Sequence, residues 1–206
     1  MSPTTYDERL ATADFARFVT INVALERIVQ DDARRQALQT ILDGTESLLE
    51  RPTSELLAAL PRLIGETMQP FGWLWNGFYA YRGDDRSSIH ASRAYGPPVC
   101  SSLERSGGAL SSGMCFDAIT LNQTMAAYET KQWPGYVSCD ATSGLATVSG
   151  IVCPIRDAND RAIAVWDLDS TQTIDPADVR TMDVLFATLS RCKPITTADF
   201  FPEESA

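Results

Sequence analysis

The sequence has few of the residues that hold metal ions. Its 206 residues include a single histidine, His90, and five cysteines, none of which form a Cys-x-x-Cys pair. Structural zinc sites need four convergent cysteine or histidine ligands, usually with some of them closely spaced. We therefore expect no metal site, and we interpret His90 as a satisfied structural residue in a strand.

The motifs of two further enzyme classes are also missing. A serine hydrolase needs a histidine as base and, in many folds, a Gly-x-Ser-x-Gly elbow, which this sequence lacks. A glycine-rich phosphate-binding loop is absent too. The remaining candidates for chemistry are the cysteines and the carboxylates.

Basic residues and long apolar runs are scarce. There are 17 Lys and Arg against 27 Asp and Glu, which gives a net charge of −10 and a pI near 4.5. A nucleic-acid binder needs a basic face, and anionic lipid repels an acidic one. No apolar stretch approaches the length of about 18–20 residues that spans a membrane. We expect no nucleic-acid or membrane partner.

The start of the chain and its cysteine count bear on the compartment. Residues 1–9 lack the basic start and apolar segment of a secretory signal. The cysteines are odd in number and belong to a chain large enough to bury its own core, unlike a secreted disulfide framework. We therefore expect a cytoplasmic protein whose cysteines are thiols at rest.

Apolar residues recur at helical spacing in the first third of the chain. The pattern predicts helices within residues 14–30, 31–51 and 53–68. Pro61 falls inside the third segment, so we expect a kink or a division into two pieces. Near the other end, Asp175-Pro176 predicts the start of a closing helix, because a capping residue followed by proline is typical of helix N-termini.

The middle of the chain changes to a period of two. Strands are predicted over residues 73–81, 87–95, 151–156 and 162–169. Alternation in the first of them would place one set of residues on a single face, namely Trp73, Trp75, Gly77, Tyr79 and Tyr81. Residues 96–113 are rich in serine, glycine and proline and are predicted to form a long loop.

These elements predict one α+β domain with an antiparallel sheet and helices packed on one of its faces. The composition, 44% hydrophobic and 21% charged, is that of an ordinary globular protein. We assign residues 1–52 to an N-terminal helical extension, 53–192 to the domain and 193–206 to a surface tail. The N-terminal helices could serve as scaffold or as the surface of a homodimer.

Cysteines are the first candidates for catalysis. Cys139 follows a Pro-Gly turn and precedes an aspartate, a setting typical of loop chemistry. Thiol redox chemistry needs an attacking thiolate and a second thiol that resolves the sulfenic acid. Cys100, which begins the long loop, has the freedom to approach Cys139. We interpret Cys153 and Cys192 as structural, because free cysteine is commonly a buried hydrophobic residue.

A pair of carboxylates, Asp167 and Asp169, ends the last predicted strand. Residues two apart in a strand point to the same face, so the two acids lie side by side. Neighbouring carboxylates repel each other, which favours a cation, a bound ammonium group or a shared proton between them. A solvated strand end is the alternative.

Five segments of the chain together form a recognisable pattern. They are Trp75-Asn76-Gly77-Phe78-Tyr79, Ser112-Gly113-Met114-Cys115, Pro134-Gly135-Tyr136-Val137-Ser138-Cys139-Asp140, Ile151-Val152-Cys153-Pro154-Ile155 and Val165-Trp166-Asp167-Leu168-Asp169-Ser170. This pattern resembles the free methionine-(R)-sulfoxide reductases, which are single GAF domains. The resemblance spans residues 71–191, and Gly150 stands where the family has a glutamate.

The resemblance implies a GAF-like fold and a reaction. Cys139 would attack the sulfur of free methionine sulfoxide, and Cys100 or Cys115 would resolve the sulfenic acid as a disulfide. Thioredoxin or a related dithiol would reduce that disulfide, with no bound cofactor.

The resemblance also implies substrate contacts. Trp75 and Tyr79 would form the wall around the methyl end of the substrate, and Asp167 and Asp169 would contact its polar part. The competing interpretation is a GAF module that binds a small molecule or senses redox state without catalysis.

Overall fold

The computed structural model describes residues 31–105, 113–136 and 146–201. The helix predicted within residues 14–30 lies outside these ranges. The helices are α1 (Asp32–Leu48), α2 (Thr53–Met68), α3 (Gly113–Leu121) and α4 (Pro176–Cys192). The strands are β1 (Trp73–Ala80), β2 (Ser88–Tyr95), β3 (Ser102–Glu104), β4 (Met125–Ala127), β5 (Ser149–Arg156) and β6 (Ala162–Ser170).

The strands form one six-stranded sheet in the order β3-β2-β1-β6-β5-β4. Every neighbouring pair in it is antiparallel. The long strands β1 and β6 are the two central strands, and the three-residue strands β3 and β4 are at the edges. The predicted antiparallel sheet is confirmed.

Helices α1, α2 and α4 bury their apolar residues against one face of this sheet, as the α+β prediction requires. At the centre of this core Trp166 of β6 stacks on Phe186 of α4, with ring centroids 4.7 Å apart. The short helix α3 packs on the opposite face with a second apolar cluster. The two faces are therefore both covered, and the space under α3 is separate from the main core. No helix within the described ranges is long and apolar enough to cross a membrane.

Capping residues fix the helix ends that the sequence predicts. The side chain of Asp31 accepts a hydrogen bond from the backbone N–H of Ala33 (2.9 Å), at the start of α1. Asp175 caps α4 in a capping box with Asp178, and Pro176 occupies the first turn. Asp178 also pairs with Arg34, so that α1 and α4 are joined at their N-terminal ends.

The predicted domain limits stay a prediction, but the core extends beyond them. Leu38 and Ile41 of α1 are fully buried in the main core, although residues 1–52 were assigned to an extension. Ile195 and Phe200 are each 1% exposed in the same core, although residues 193–206 were assigned to a surface tail.

Pro61 does not divide α2, which is one helix from Thr53 to Met68. The carbonyl of Pro61 accepts a hydrogen bond from the side-chain amide of Asn76 (3.0 Å). The carbonyl oxygen of that amide accepts one from the indole N–H of Trp166 (3.2 Å). The fully buried Asn76 thus connects α2, β1 and β6, and both ends of its amide have partners.

Two sequence predictions about the sheet are wrong in detail. Trp73 does not share a face with Trp75, because a bulge between them shifts the pairing of β1 with β6. Trp73 therefore packs against Trp166 in the main core. The predicted loop 96–113 contains strand β3, which pairs with β2 through Ser88, Ile89 and His90. Short edge strands are hard to predict from sequence, because three residues are too few to show a clear alternation of apolar and polar side chains.

We expect Asn76→Leu to destabilise the protein, because it leaves the buried Trp166 N–H without its partner and removes the side-chain hydrogen bond to the Pro61 carbonyl, which lies within helix α2. A buried unsatisfied group costs about 1–3 kcal/mol and a lost hydrogen bond about 0.5–1.5 kcal/mol, so the free energy of unfolding should fall by about 2–4 kcal/mol. Urea denaturation measures it. Asn159→Leu, in the exposed turn before β6, is the control and should change stability by less than about 0.5 kcal/mol. Equal effects of the two changes would contradict the structural role of Asn76.

Candidate functional site

A cavity of about 290 Å³ lies under α3, on the face of the sheet opposite the main core. Strands β1, β5 and β6 form its floor, and α3, β3 and the segment before β3 form its sides. Among the described residues its lining includes five of the predicted site residues, which are Tyr79, Cys100, Cys115, Asp167 and Asp169. The structure therefore brings these side chains together from four separate parts of the chain.

Strand register explains why the two carboxylates face the cavity. Asp167 and Asp169 alternate with Trp166 and Leu168, which enter the main core on the other face. Both acids are half-buried. Gly77 lies directly opposite Asp167 in β1, and Gly150 lies opposite Asp169 in β5. A Cβ atom at Gly77 would lie 2.6 Å from the Cβ of Ala94, so the strands pack closely at this point.

Gly150 also leaves little space for a larger residue. A Cβ atom at this position would lie 2.8 Å from the carbonyl oxygen of Leu168, which is a backbone atom. A side chain here would require β5 to move away from β6. The site thus has two carboxylates on β6 and none at position 150.

Cys115 enters the cavity from the first turn of α3, and its thiol donates a hydrogen bond to Asp167 Oδ2 at 3.6 Å. A helix N-terminus normally lowers the pKa of a cysteine. Here burial outweighs that effect and raises the pKa of Cys115 well above its usual value, and the negative charges of Asp167 and Asp169 raise it further. Cys115 is therefore a neutral hydrogen-bond donor at neutral pH.

Asp167 responds to the same environment. Burial raises the pKa of this carboxyl well above its ordinary range, and the neighbouring charge of Asp169 adds to the shift. The hydrogen bond from Cys115 opposes the shift, since it stabilises the carboxylate. A cationic group bound between Asp167 and Asp169 would stabilise both carboxylates and so offset the effects of burial and of their mutual repulsion.

Cys100 has a different status from Cys115. It is disulfide-bonded and half-buried, whereas Cys115, Cys153 and Cys192 are free thiols. The backbone carbonyl of Cys100 accepts a hydrogen bond from the hydroxyl of Tyr79 at 2.9 Å. Cys139, the predicted attacking residue, lies outside the described residues.

The start of the cysteine motif is held against α3. The indole N–H of Trp133 donates to Asp117 Oδ2 at 2.8 Å, and both residues are buried. Gly135 adopts a left-handed conformation (φ 71°) in the turn that follows, which glycine accepts without strain. The Pro-Gly turn that precedes Cys139 is therefore anchored at the cavity, and Tyr136 is part of its lining.

Trp75 supports the site from behind. Its ring centroid lies 5.7 Å from that of Tyr79, and it is 3% exposed. The described cavity lining includes Tyr79 but not Trp75.

Sequence reasoning missed Thr130 and Glu104, which also line the cavity. The register of β3 would have indicated Glu104, but the strand itself was not predicted.

The remaining candidates lie away from the cavity. Cys153 is 1% exposed in the main core, as its apolar strand predicts. Cys192 is exposed at the end of α4, which corrects the expectation of a buried residue. His90 Nε2 lies 3.1 Å from Ser88 Oγ. Within residues 31–105, 113–136 and 146–201 no three histidine, cysteine or acidic side chains converge as metal ligands.

The six-stranded antiparallel sheet with helices on its faces has the GAF fold. A solved GAF domain matches with a TM-score of 0.66 at 19% identity, over 84% of this chain and 98% of that one. No protein-family model matches the sequence, and a comparison with curated proteins finds no match. The fold is therefore established by structure alone.

Free methionine-R-sulfoxide reductases are among the similar structures. The enzyme from Neisseria meningitidis, solved in complex with its substrate, has a TM-score of 0.65 and 23% identity, over 80% of this chain and 91% of that one. The GAF domain of an Acinetobacter phosphoenolpyruvate-protein phosphotransferase also matches, with a TM-score of 0.55 and 13% identity, over 79% and 93% of the two chains. The GAF fold thus occurs both in a reductase and in a protein of another class.

We expect the free thiols to differ in reactivity. Iodoacetamide at pH 8 should alkylate the exposed Cys192 at least about 10-fold faster than Cys115 or Cys153, because burial suppresses their thiolate forms. Mass spectrometry of tryptic peptides over a time course measures the three rates, and urea-unfolded protein is the control. Alkylation of native Cys115 as fast as Cys192 would contradict the buried, neutral thiol.

Proposed function

We propose that this protein reduces free L-methionine-(R)-sulfoxide to methionine by thiol chemistry. The observation that carries the proposal is the position of the Cys100 disulfide, which lines the same cavity as Asp167 and Asp169. A disulfide beside an acidic pair combines a redox centre with a site for a cationic substrate. The likeness to the Neisseria meningitidis enzyme supports the same reaction.

Cys139 is the attacking residue in this proposal. Its thiolate bonds to the sulfoxide sulfur, the sulfoxide oxygen is transferred to Cys139, and methionine leaves. The cysteine becomes a sulfenic acid as the substrate is reduced by two electrons. Attack by a second thiol on the sulfenic acid then forms a disulfide and releases water.

Cys100 is the resolving thiol rather than Cys115. Cys100 is disulfide-bonded, whereas Cys115 is a free thiol, and the pairing of Cys100 with Cys139 is part of this proposal. Cys115 is a poor nucleophile, since burial and two carboxylates keep its thiol protonated. Its hydrogen bond to Asp167 instead orients that carboxyl group.

The substrate would lie between the carboxylates and the aromatic wall. Asp167 and Asp169 would hold the ammonium group of the free amino acid, whose charge offsets their repulsion. The ring of Tyr79, supported by Trp75, would contact the methyl end. Gly150 supplies no carboxylate, so Asp167 and Asp169 would carry the interaction with the ammonium group, and Glu104 is a further acid in the described lining.

The proposed reaction also bears on the reductant, the compartment and the oligomeric state. A reductase of this kind needs a dithiol donor such as thioredoxin to regenerate both thiols, and this requirement favours a cytoplasmic location. No bound cofactor takes part in the proposed steps. A homodimer formed through the N-terminal helices is a further proposal.

A redox sensor or small-molecule-binding module is the second candidate. One observation favours it: Gly150 replaces the family glutamate, and the β6 backbone leaves little room for a side chain there. A sensor would form the Cys100 disulfide in response to oxidants and would not consume a sulfoxide. Substrate-dependent turnover separates the two candidates.

The decisive experiment couples the purified protein to thioredoxin, thioredoxin reductase and NADPH, with the two epimers of methionine sulfoxide offered separately. We expect NADPH oxidation that depends on the R epimer. Cys139→Ser should lower the turnover rate by at least about 10³-fold, as removal of a nucleophile does. Cys100→Ser should release one equivalent of methionine and then stall.

Cys192→Ser is the matched control, because Cys192 is exposed and lies outside the cavity, and it should keep full activity. Absence of any sulfoxide-dependent NADPH oxidation would overturn the reductase and leave the sensor.

A second experiment addresses the carboxylates. Asp167→Asn combined with Asp169→Asn should raise the KM for methionine sulfoxide by about 10- to 100-fold, the size expected for losing charge-assisted hydrogen bonds. Asp84→Asn changes a carboxylate in the exposed β1–β2 turn and is the control for charge. A KM unchanged in the double variant would show that the ammonium group binds elsewhere.

A further inference from the structure

We propose that the Tyr79 hydroxyl is a positioning group that favours the disulfide-bonded form of Cys100. Its meaning for catalysis rests on the proposed function, in which Cys100 resolves the sulfenic acid. The claim itself concerns a thiol–disulfide equilibrium, which can be measured without any sulfoxide.

The hydroxyl of Tyr79 is fixed in space. Tyr79 is 2% exposed, and its ring packs at a 45° angle against Trp75, which is itself buried. The ring therefore cannot swing away from the sheet without opening the second apolar cluster. In this position the hydroxyl donates to the backbone carbonyl of Cys100 at 2.9 Å. That bond connects the central strand β1 to the segment that carries the disulfide.

The chain on either side of Cys100 has contacts of its own within the described residues. The carbonyl of Ser101 accepts a hydrogen bond from the backbone N–H of Ala91 (2.9 Å), where the chain enters β3. Val99 is partly buried against the second cluster. Before Val99 the chain runs through Pro97 and Pro98, which have no N–H to donate. Among these contacts, the Tyr79 hydroxyl is the one that holds the carbonyl of Cys100.

The hydroxyl remains a donor across the working pH range. Burial raises the pKa of Tyr79, and the negative charges of Asp167 and Asp169 raise it further. Cys115 is close enough to add to the shift. The phenol is therefore neutral at neutral pH and can donate its hydrogen bond to Cys100 there.

The Tyr79 hydrogen bond should favour one side of the thiol–disulfide equilibrium of Cys100. In the disulfide form both the covalent bond and the Tyr79 hydrogen bond restrain Cys100. Each bond therefore reduces the conformational entropy that is lost when the other one forms. In the dithiol form the covalent bond is gone, and the Tyr79 hydrogen bond must order the Cys100 carbonyl with the help of the Ser101 hydrogen bond and the packing of Val99 but without the covalent constraint. The hydrogen bond is thus stronger in the disulfide form, and it shifts the equilibrium towards the oxidised protein.

The test measures the equilibrium with glutathione, in which two glutathione thiols reduce the protein disulfide and become glutathione disulfide. Tyr79→Phe keeps the ring and removes only the hydroxyl. We expect the equilibrium constant for forming the Cys100 disulfide to fall by about 2- to 12-fold, the range set by the net contribution of one hydrogen bond. Acid quenching, alkylation and peptide mapping quantify oxidised and reduced Cys100.

Tyr81→Phe is the matched control, since Tyr81 is equally buried in the second cluster but its hydroxyl pairs with Arg105 rather than Cys100. It should leave the equilibrium constant unchanged. An unchanged constant in Tyr79→Phe, or equal decreases in both variants, would overturn the proposal.

A measurement on the unmodified protein tests the premise without any variant. Amide hydrogen exchange in residues 99–101 should be at least about 10-fold faster in the reduced protein than in the oxidised protein. Equal exchange in both forms would overturn the proposal, because the segment would then be ordered without the disulfide.

The result is independent of the proposed activity. If sulfoxide reduction fails while the equilibrium shifts in Tyr79→Phe, the inference stands for a redox sensor. If reduction succeeds while the equilibrium is unchanged, the inference fails and the proposed function stands.

Discussion

The alternation of side chains along β6 is the constraint on which both halves of the structure depend. Trp166 and Leu168 enter the main core, and Trp166 is stacked on Phe186 and hydrogen-bonded to Asn76. Asp167 and Asp169 therefore face the cavity under α3. A shift of one residue in the register of β6 would exchange the two pairs, burying carboxylates in the core. The packing of the core thus fixes the position of the acidic site.

Burial separates the roles of two cysteines that the sequence treats alike. Cys115 lies beside Asp167 in a closed environment, where a thiolate would be destabilised by desolvation and by two negative charges. Cys100 lies on a segment at the rim and takes part in a disulfide. Tyr79 belongs to both environments, since its ring lines the cavity and its hydroxyl contacts Cys100. The cavity that holds the acidic pair and the segment that carries Cys100 are thereby connected through one side chain.

Much of the fold follows from local patterns, and the exceptions have physical causes. The strong periodicity of β1, β5 and β6 and the Asp175-Pro176 cap predicted the central sheet and α4. The prediction that Trp73 shares a face with Trp75 was wrong. A bulge separates them, and it is set by the pairing of β1 with β6 and not by the residues of β1 alone. Strand β3 was missed, because three residues at an edge form a strand only when β2 lies beside them.

By itself the sequence determined the candidate residues for chemistry: cysteines without metal-ligand spacing, and two acids that alternation places on one face. Their residue types and local spacing suffice for that conclusion. Only the tertiary structure decided that Cys115 is a buried neutral donor and that the Cys100 carbonyl is hydrogen-bonded to Tyr79. It also decided that Gly150 packs closely against the backbone of β6. Desolvation, hydrogen-bond partners and close approach all depend on residues distant in the chain, so no local pattern could have revealed them.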